Sequence, residues 1–415
     1  MLYKIQLPYN KSLRIREMLS GFVLRGTSPS VSDEDCHDVE IVHRALQTLS
    51  AGFVETQNFM SLQKEEMSVR PVVVDVEDCG AAYRFLMPLL AFTPGSWLPT
   101  GTPRLLQRPI LPLVDVLRGV GADIKRVEDG WLIEGKCFRP AETQNFASLQ
   151  RGENDTNEGG GLMLTIDASQ SSQMASALVL AAPLLNLRTL HLATTDIPSL
   201  PYLQMTLHYM RDYPIAVPGV SMPEMPIGAI GDWSAALFWF AHARLHPEND
   251  YSLSPLSINS IQGDSLIYQW FRKLNTSIST KDSSVIVHAE PLNETPKMVL
   301  DVRDNLDTVP VMAVLASLLP ADITFQNVHN LRLKESDRLS ALASQLRPYA
   351  DIELSDNTFR VVGRGWLSVS HPVFDTHHDH RLAMAFLLFG SNATLNDTDC
   401  LQKSYPHLIQ DLFLV

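Results

Sequence analysis

A chain of 415 residues with 33 basic against 46 acidic side chains carries a net charge of −13. Such an excess of acid excludes a general binder of nucleic acid or anionic membrane, which needs a positive surface. At 45% hydrophobic and 19% charged, with 26 prolines, the composition is that of a soluble globular protein, and the length exceeds one ordinary core and implies two domains.

No apolar run reaches the roughly 18 residues that a membrane span requires. The opening MLYKIQLPYNKS has no apolar centre of the signal-peptide kind. The four cysteines (Cys36, Cys79, Cys137, Cys400) are scattered, without a CxxC pair or a histidine at metal-ligand spacing. Free thiols in a reducing cytoplasm are expected.

Along the chain, helix-like apolar segments alternate with short β-rich runs, the pattern of an α/β protein. A strand-like start leads into NKSLRIR (10–16), which crowds Lys11, Ser12 and Arg16 into a short span. ETQNFMSLQ (55–63) recurs as ETQNFASLQ (142–150), eight of nine residues being identical. The second copy runs into RGENDTNEGGG (151–161), too polar and glycine-rich to bury a core. Both copies read as inserted surface segments without a catalytic role.

Between them, GTPRLLQRPI (101–110) puts Arg104 and Arg108 ahead of a proline-initiated helix. ADIKRVEDGWLIEG (122–135) has an isoleucine, an aromatic residue seven positions on and a β-branched residue two further. ADIELSDNTFRVVG (350–363) repeats that pattern, and TSISTKDSSVIVHA (276–289) keeps its spacing with Ile278, Val285 and Val287. Each reads as a strand, a polar turn and a returning strand after a helix, so the domains are expected to be built from duplicated units.

SQSSQMASALVLAAPLL (169–185) sets Ser171, Ser172 and Gln173 at the start of a strongly apolar helix, where hydroxyls and free N–H groups can cradle an anion. The stretch VPGVSMPEMPIG (217–228) is dense in proline and glycine and marks the domain boundary. Beyond it, GDWSAALFWFAHARL (231–245) opens a new helix behind an acidic residue.

LRLKESDR (331–338) packs three cations and two acids into eight residues. With a helix beginning near Glu335, Lys334 and Arg338 share a face beside Glu335. That serves an exposed ion-pair ladder worth ~0–1 kcal/mol as well as it serves a site. DTHHDHR (375–381) clusters His377, His378 and His380 but has no HExxH or H-x-x-x-H spacing, so no metal site is expected. Its Arg381 opens another apolar helix. Helix starts are thus repeatedly decorated with cations or hydroxyls, as a polyanion site would require.

Taken together, these motifs resemble the enolpyruvyl transferases. The resemblance runs through LPYNKSLRIR, DCGAAYRFL, TGTPRLLQRPI, SSQMASALVLAAP, SLPYLQMTL, GDWSAA, LRLKESDR, DHRLAMAF and KSYPHL, in the family's order over nearly the whole chain. It implies two inside-out α/β domains, each of three repeated helix-plus-sheet units, with the active site in the interdomain cleft. The N-terminal domain would span 11–222, and the C-terminal domain 1–10 with 223–415, so that the chain crosses twice.

The implied reaction transfers the enolpyruvyl group of phosphoenolpyruvate to the 5-hydroxyl of shikimate 3-phosphate through a tetrahedral addition product. It uses neither metal nor organic cofactor, and the enzyme would be a cytoplasmic monomer. By the same resemblance, Lys11, Ser12, Arg16, Ser171, Ser172, Gln173, Ser199, Tyr202, Asp307, Asn330 and Lys334 hold shikimate 3-phosphate. Lys11, Gly80, Arg108, Gln173, Arg338, Arg381 and Lys403 hold phosphoenolpyruvate. Asp307 matches the base at the target hydroxyl and Glu335 the proton donor, with Lys11 a second candidate for protonating the methylene carbon.

The chain departs from the family pattern in two places. Tyr9 and Asn10 stand where the family has Gly or Ala followed by Ser or Asp, and Arg14 replaces its Ser or Thr. The usual N-A-G-T is Asp78-Cys79-Gly80-Ala81. Two rival readings are a sister transferase acting on UDP-N-acetylglucosamine and a non-catalytic homologue that binds an anionic metabolite. The KESDR and SSQ patterns, and the lack of cysteine between Cys79 and Cys137, disfavour the first.

Overall fold

The computed structural model describes residues 1–59, 70–137, 161–222, 230–365 and 371–415. They divide into two compact units, Met1–Lys11 with Asp33–His37 and Glu224–Val415, and Ser12–Ser32 with Asp38–Pro223. All three hairpins expected from the repeat are present: Asp123–Val127 with Gly130–Gly135, Thr276–Lys281 with Ser284–Ala289, and Ala350–Leu354 with Thr358–Gly363.

Each hairpin completes a four-stranded sheet of one topology. Two parallel strands come first, then the returning strand of the hairpin, then its outgoing strand at the edge. In the first unit the parallel pairs are Leu2–Gln6 beside Asp250–Ser254, and Lys297–Asp301 beside Asp322–Gln326. In the second unit the pair is Val72–Asp75 beside Gly95–Thr100. Two smaller sheets keep only the parallel pair, Val373–Phe374 with Thr394–Leu395 and Leu162–Ile166 with Leu187–Leu192.

Helices that are apolar on every face have to lie inside a domain. Every residue of Val309–Leu318 and of His380–Phe386 is buried, and both belong to the hydrophobic core of the first unit together with Trp233–Leu245. In the second unit Gly80–Ala91 packs on Ser172–Leu180, which packs in turn on Leu200–Tyr209. The strands wrap these helices and alternate exposed with buried residues, as in Lys297–Asp301. Each unit is therefore inside-out, with helices at the centre and sheets outside.

The cost of this packing is visible where the returning strand ends over a helix terminus. A Cβ on Gly363 would lie 1.9 Å from the Ala316 carbonyl and 2.1 Å from that of Leu319. A Cβ on Gly135 would meet the Thr93 carbonyl at 2.0 Å and that of Leu90 at 2.4 Å. The two glycines occupy the same place in the repeat.

Arg104 and Arg108 both precede helix Leu111–Gly119, which has a proline in its first turn, and Arg104 itself lies in the short helix Pro103–Leu106 capped by Thr102. One expectation needs correction: the helix expected near Glu335 begins at Arg338, as taken up below. The first ETQNF copy enters the end of helix His37–Phe59. The rest of that copy, the whole of the second copy, all but the last residue of its glycine-rich continuation and 223–228 of the boundary stretch lie outside the described residues.

Gly363→Ala forces a methyl group onto backbone carbonyls and should lower stability by about 1–3 kcal/mol, measured by urea denaturation. A second prediction concerns pH. His242, on helix Trp233–Leu245, bonds the Tyr251 hydroxyl at 2.8 Å and stacks on His246 at 4.3 Å. Burial, and then the neighbouring His246, lower its pKa from the ordinary 6.5 to about 3. A folded pKa below the unfolded one gives stability that is full above 6.5 and lost as pH falls toward 3. The urea midpoint should therefore drop between pH 7 and 5, and His242→Gln should flatten that slope.

Candidate active site

In the first unit the chemistry gathers around one guanidinium. Asp307 sits in the 3-10 turn Leu306–Thr308 that leads into Val309–Leu318. Lys334 ends the 3-10 turn His329–Leu333, in which Asn330 is buried, and its backbone is extended. Asp337 then caps helix Arg338–Leu346, its carboxylate accepting from Ser340 N at 3.0 Å. This cap explains why the helix starts three residues later than expected. Lys334 consequently lies before the helix and does not share a helical face with Arg338.

Arg338 is no part of a solvated ladder, for its side chain is only 1% exposed. Nη1 donates to Asp307 at 2.8 Å and Nη2 to Glu335 at 2.7 Å. Nε and Nη2 donate to the two oxygens of Asp379 at 2.7 and 3.1 Å. One buried cation thus joins three carboxylates, a geometry in which loss of one partner costs roughly 3–5 kcal/mol.

Asp307 also meets Lys334 Nζ at 3.0 Å and lies 3.9 Å from Arg381 Nη2. Burial would raise its pKa, but Lys334, Arg338 and Arg381 together hold it well below the ordinary carboxylate value, with Glu335 opposing them. Asp307 is therefore ionised at neutral pH.

Three buried groups here escaped sequence reasoning as functional residues. Asp379 caps helix His380–Phe386 through Arg381 N at 2.9 Å while it accepts from Ser336 Oγ at 2.9 Å. His380 is held neutral by burial, then by Lys11 and Arg381, with Lys403 adding and Glu335 opposing. That one imidazole shows that Lys11, Glu335, Arg381 and Lys403 act electrostatically on the same place.

Asp264 accepts from Ser234 Oγ and has its pKa raised to about 6 by burial, with Arg381 opposing and Asp307 and Asp232 reinforcing the shift. The DHR triplet and the GDWS helix start were the sequence signals for Asp379 and for this surround. Among the described residues no group of three or more His, Cys, Asp or Glu could hold a metal ion, and His378 pairs instead with Asp397 at 2.7 Å.

In the second unit Arg16 meets neutral groups, whereas the buried Arg14 pairs with Glu17 at 2.5 Å. Arg16, 2% exposed on helix Lys11–Arg25, donates to Thr206 Oγ1 at 2.8 Å and to the Ser12 carbonyl at 2.9 Å. Its guanidinium faces the rings of Phe85 at 5.2 Å and Tyr202 at 5.8 Å. Burial lowers its pKa to about 10, so it stays charged.

Gly80 opens helix Gly80–Ala91 behind Cys79, whose Sγ accepts from Ala82 N at 3.4 Å. Arg84 on this helix, which sequence reasoning did not single out, donates to the carbonyls of Gly80 and Pro109 and to Gln173 Oε1 at 2.8 Å. It ties together the helix starts that bear Gly80 and Gln173 and the residue next to Arg108. Ser171 caps helix Ser172–Leu180, accepting from Gln173 N at 3.3 Å, and Ser172 is buried behind it. Ser199 precedes helix Leu200–Tyr209 in the left-handed region, with φ 58.

A repeat-built α/β protein with buried cations at its helix starts, and ionised acid between two further cations, is a protein equipped for anionic substrates. The chain belongs to the EPSP synthase (3-phosphoshikimate 1-carboxyvinyltransferase) family, which it matches over residues 3–412. It is 29% identical over 429 residues to 3-phosphoshikimate 1-carboxyvinyltransferase of Photobacterium damsela subsp. piscicida, covering 97% of this chain and 94% of that protein. The enzyme of the same name from Bacteroides fragilis is also 29% identical, over 430 residues, covering 98% of this chain and 94% of that one. The fold is that of EPSP synthase from Acinetobacter baumannii, with a TM-score of 0.66 at 16% identity, covering 100% of this chain and 95% of that structure.

Gly80 offers a direct test of the geometry in the second unit. A Cβ there would lie 2.4 Å from Arg108 Nη1 and 2.8 Å from its Cζ. Gly80→Ala should fold normally, because the side chain can give way, but it should displace Arg108. Weakened binding of phosphoenolpyruvate, by roughly 10-fold in calorimetric titration, is the expected result.

Proposed function

We propose that this chain transfers the enolpyruvyl group of phosphoenolpyruvate to the 5-hydroxyl of shikimate 3-phosphate, releasing inorganic phosphate. The observation that carries the proposal is the ionised Asp307 held against Lys334 and Arg338, with Glu335 on the same guanidinium. Two substrates bring two carboxylates and two phosphates, whose mutual repulsion several fixed cations must offset.

In the addition step the hydroxyl oxygen bonds to the substituted carbon of the alkene as its proton passes to Asp307. The methylene carbon takes a proton from Glu335 or Lys11 and becomes a methyl group. In the elimination step that methyl group returns a proton to the group that gave it, the alkene re-forms, and the carbon–oxygen bond to phosphate breaks as the proton held by Asp307 passes to the departing phosphate.

Lys11, Ser12, Arg16, Ser171, Ser172, Gln173, Ser199, Tyr202, Asn330 and Lys334 serve shikimate 3-phosphate in this reading. Lys11, Gly80, Gln173, Arg108, Arg338, Arg381 and Lys403 serve phosphoenolpyruvate. The buried Arg16 supports it, because it keeps its charge among neutral acceptors and can lend it to an anion. Once anionic substrates draw on Lys334 and Arg381, Asp307 loses part of the field that keeps its pKa low and becomes a better base. The reading includes an N-terminal domain at 11–222, a C-terminal domain made of 1–10 and 223–415, and a cytoplasmic monomer.

The deciding assay follows phosphate release with each substrate alone, with both, and with UDP-N-acetylglucosamine in place of shikimate 3-phosphate. Release only with the first pair supports the proposal. Binding without turnover would favour a non-catalytic anion binder. Asp307→Ala should lower kcat roughly 10²–10⁴-fold while affinity for shikimate 3-phosphate stays within a few-fold. Near-normal turnover would remove Asp307 as the base. Arg338→Ala should weaken phosphoenolpyruvate binding and also cost roughly 3–5 kcal/mol in urea denaturation, since three carboxylates lose their shared cation.

A further inference from the structure

Asn10 is one of the departures from the family pattern, and its surroundings give it a task. Its side chain is buried, and Nδ2 donates to Asp232 Oδ1 at 2.9 Å and to Gln262 Oε1 at 2.8 Å. Both acceptors are fixed by other bonds. Asp232 Oδ1 caps helix Trp233–Leu245 by accepting from Ser234 N at 2.8 Å. Gln262 Oε1 accepts from Trp233 N at 2.9 Å, while its Nε2 donates to the Gly231 carbonyl at 2.8 Å. The Gln262 amide therefore cannot turn over to offer Asn10 a donor without breaking two bonds.

The main chain is stitched at the same place. Asn10 N donates to the Ile230 carbonyl at 2.8 Å, and Asp232 N donates to the Pro8 carbonyl at 3.0 Å. Tyr9 forms an antiparallel bridge with Gly231. A Cβ on Gly231 would lie 1.8 Å from the Pro255 carbonyl, so residue 231 can approach Pro255 this closely only as glycine. Lys11 is the next residue, and its charge bears on His380.

We propose that Asn10 is a positioning residue for Lys11, its two amide protons answering two fixed acceptors on Asp232 and Gln262. A hydroxyl at this position offers one donor and a carboxylate offers none. A carboxylate would also set acceptor against acceptor in a buried place, where an unmade hydrogen bond is costly. The departure at position 10 thus comes with its own pair of partners, and it fixes where the Lys11 backbone starts its helix.

The inference rests on the proposed reaction, in which Lys11 touches both substrates, and it can be read with and without turnover. Asn10→Asp should raise the KM for phosphoenolpyruvate roughly 10-fold or more, whereas Asn10→Ser should stay within about three-fold of wild type. A purely structural role would reduce the folded fraction, and hence the apparent kcat, and leave KM unchanged.

Where Asn10→Asp does not accumulate as folded protein, Asn10→Ala carries the test, with an expected rise of roughly five-fold in that KM. A KM within two-fold of wild type in a folded Asn10→Asp, or failing that in Asn10→Ala, would overturn the proposal. A crystal structure of the same variant distinguishes this failure from failure of the reaction itself. Displacement of residues 9–12 supports the positioning role even if wild type proves inactive, and an unmoved Lys11 refutes it.

Discussion

The charge on Arg338 is the constraint around which the first unit is organised. A guanidinium taken out of water has to be compensated, and here Asp307, Glu335 and Asp379 do so at once. Each of these acids belongs to a different part of the chain: Asp307 precedes one buried helix, Asp379 caps a second, and Glu335 leads into Arg338's own helix. The ion cluster therefore fixes the relative positions of the starts of three elements. Together with Lys334 and Arg381, the Arg338 cation keeps Asp307 ionised.

The second unit solves the same problem in another way. Arg16 is satisfied by a hydroxyl, a carbonyl and two aromatic faces, so its positive charge is solvated without being neutralised. Such a site keeps a field for an incoming anion.

Much of the architecture was legible because it is periodic. The spacing of Ile124, Trp131 and Ile133, repeated at Ile352, Phe359 and Val361, marks residues on one face of a hairpin that lies over a helix, and burial enforces that spacing. The capping residues Ser171 and Asp232 were readable for a similar reason, since a cap acts within three residues of itself. The start of helix Arg338–Leu346 was misjudged because LRLKESDR offers two acids that could begin a helix, and only the Asp337 bond to Ser340 chooses between them.

What stayed hidden was pairing at long range. Nothing local reveals that Arg338 meets Asp379, that Asn10 meets Gln262, or that Arg84 gathers Pro109 and Gln173. The motif stretches carried most of these residues, but spacings from 25 to 252 positions have no period to read.

The strand Leu2–Gln6 lies in parallel beside Asp250–Ser254, and the residues between them include all of the second unit. On the ribosome Leu2–Gln6 is made before its neighbour and must wait, unpaired, until that neighbour has been synthesised. The second unit can meanwhile collapse around its own helices, since domains fold as units during synthesis. For that interval Ile5 and Leu7, almost wholly buried in the finished protein, are exposed to whatever else would pair with an open strand. The same crossing that leads to Lys11 thus gives this seam a longer wait in synthesis than any other strand pair among the described residues, and leaves its first strand open to mispairing for that interval.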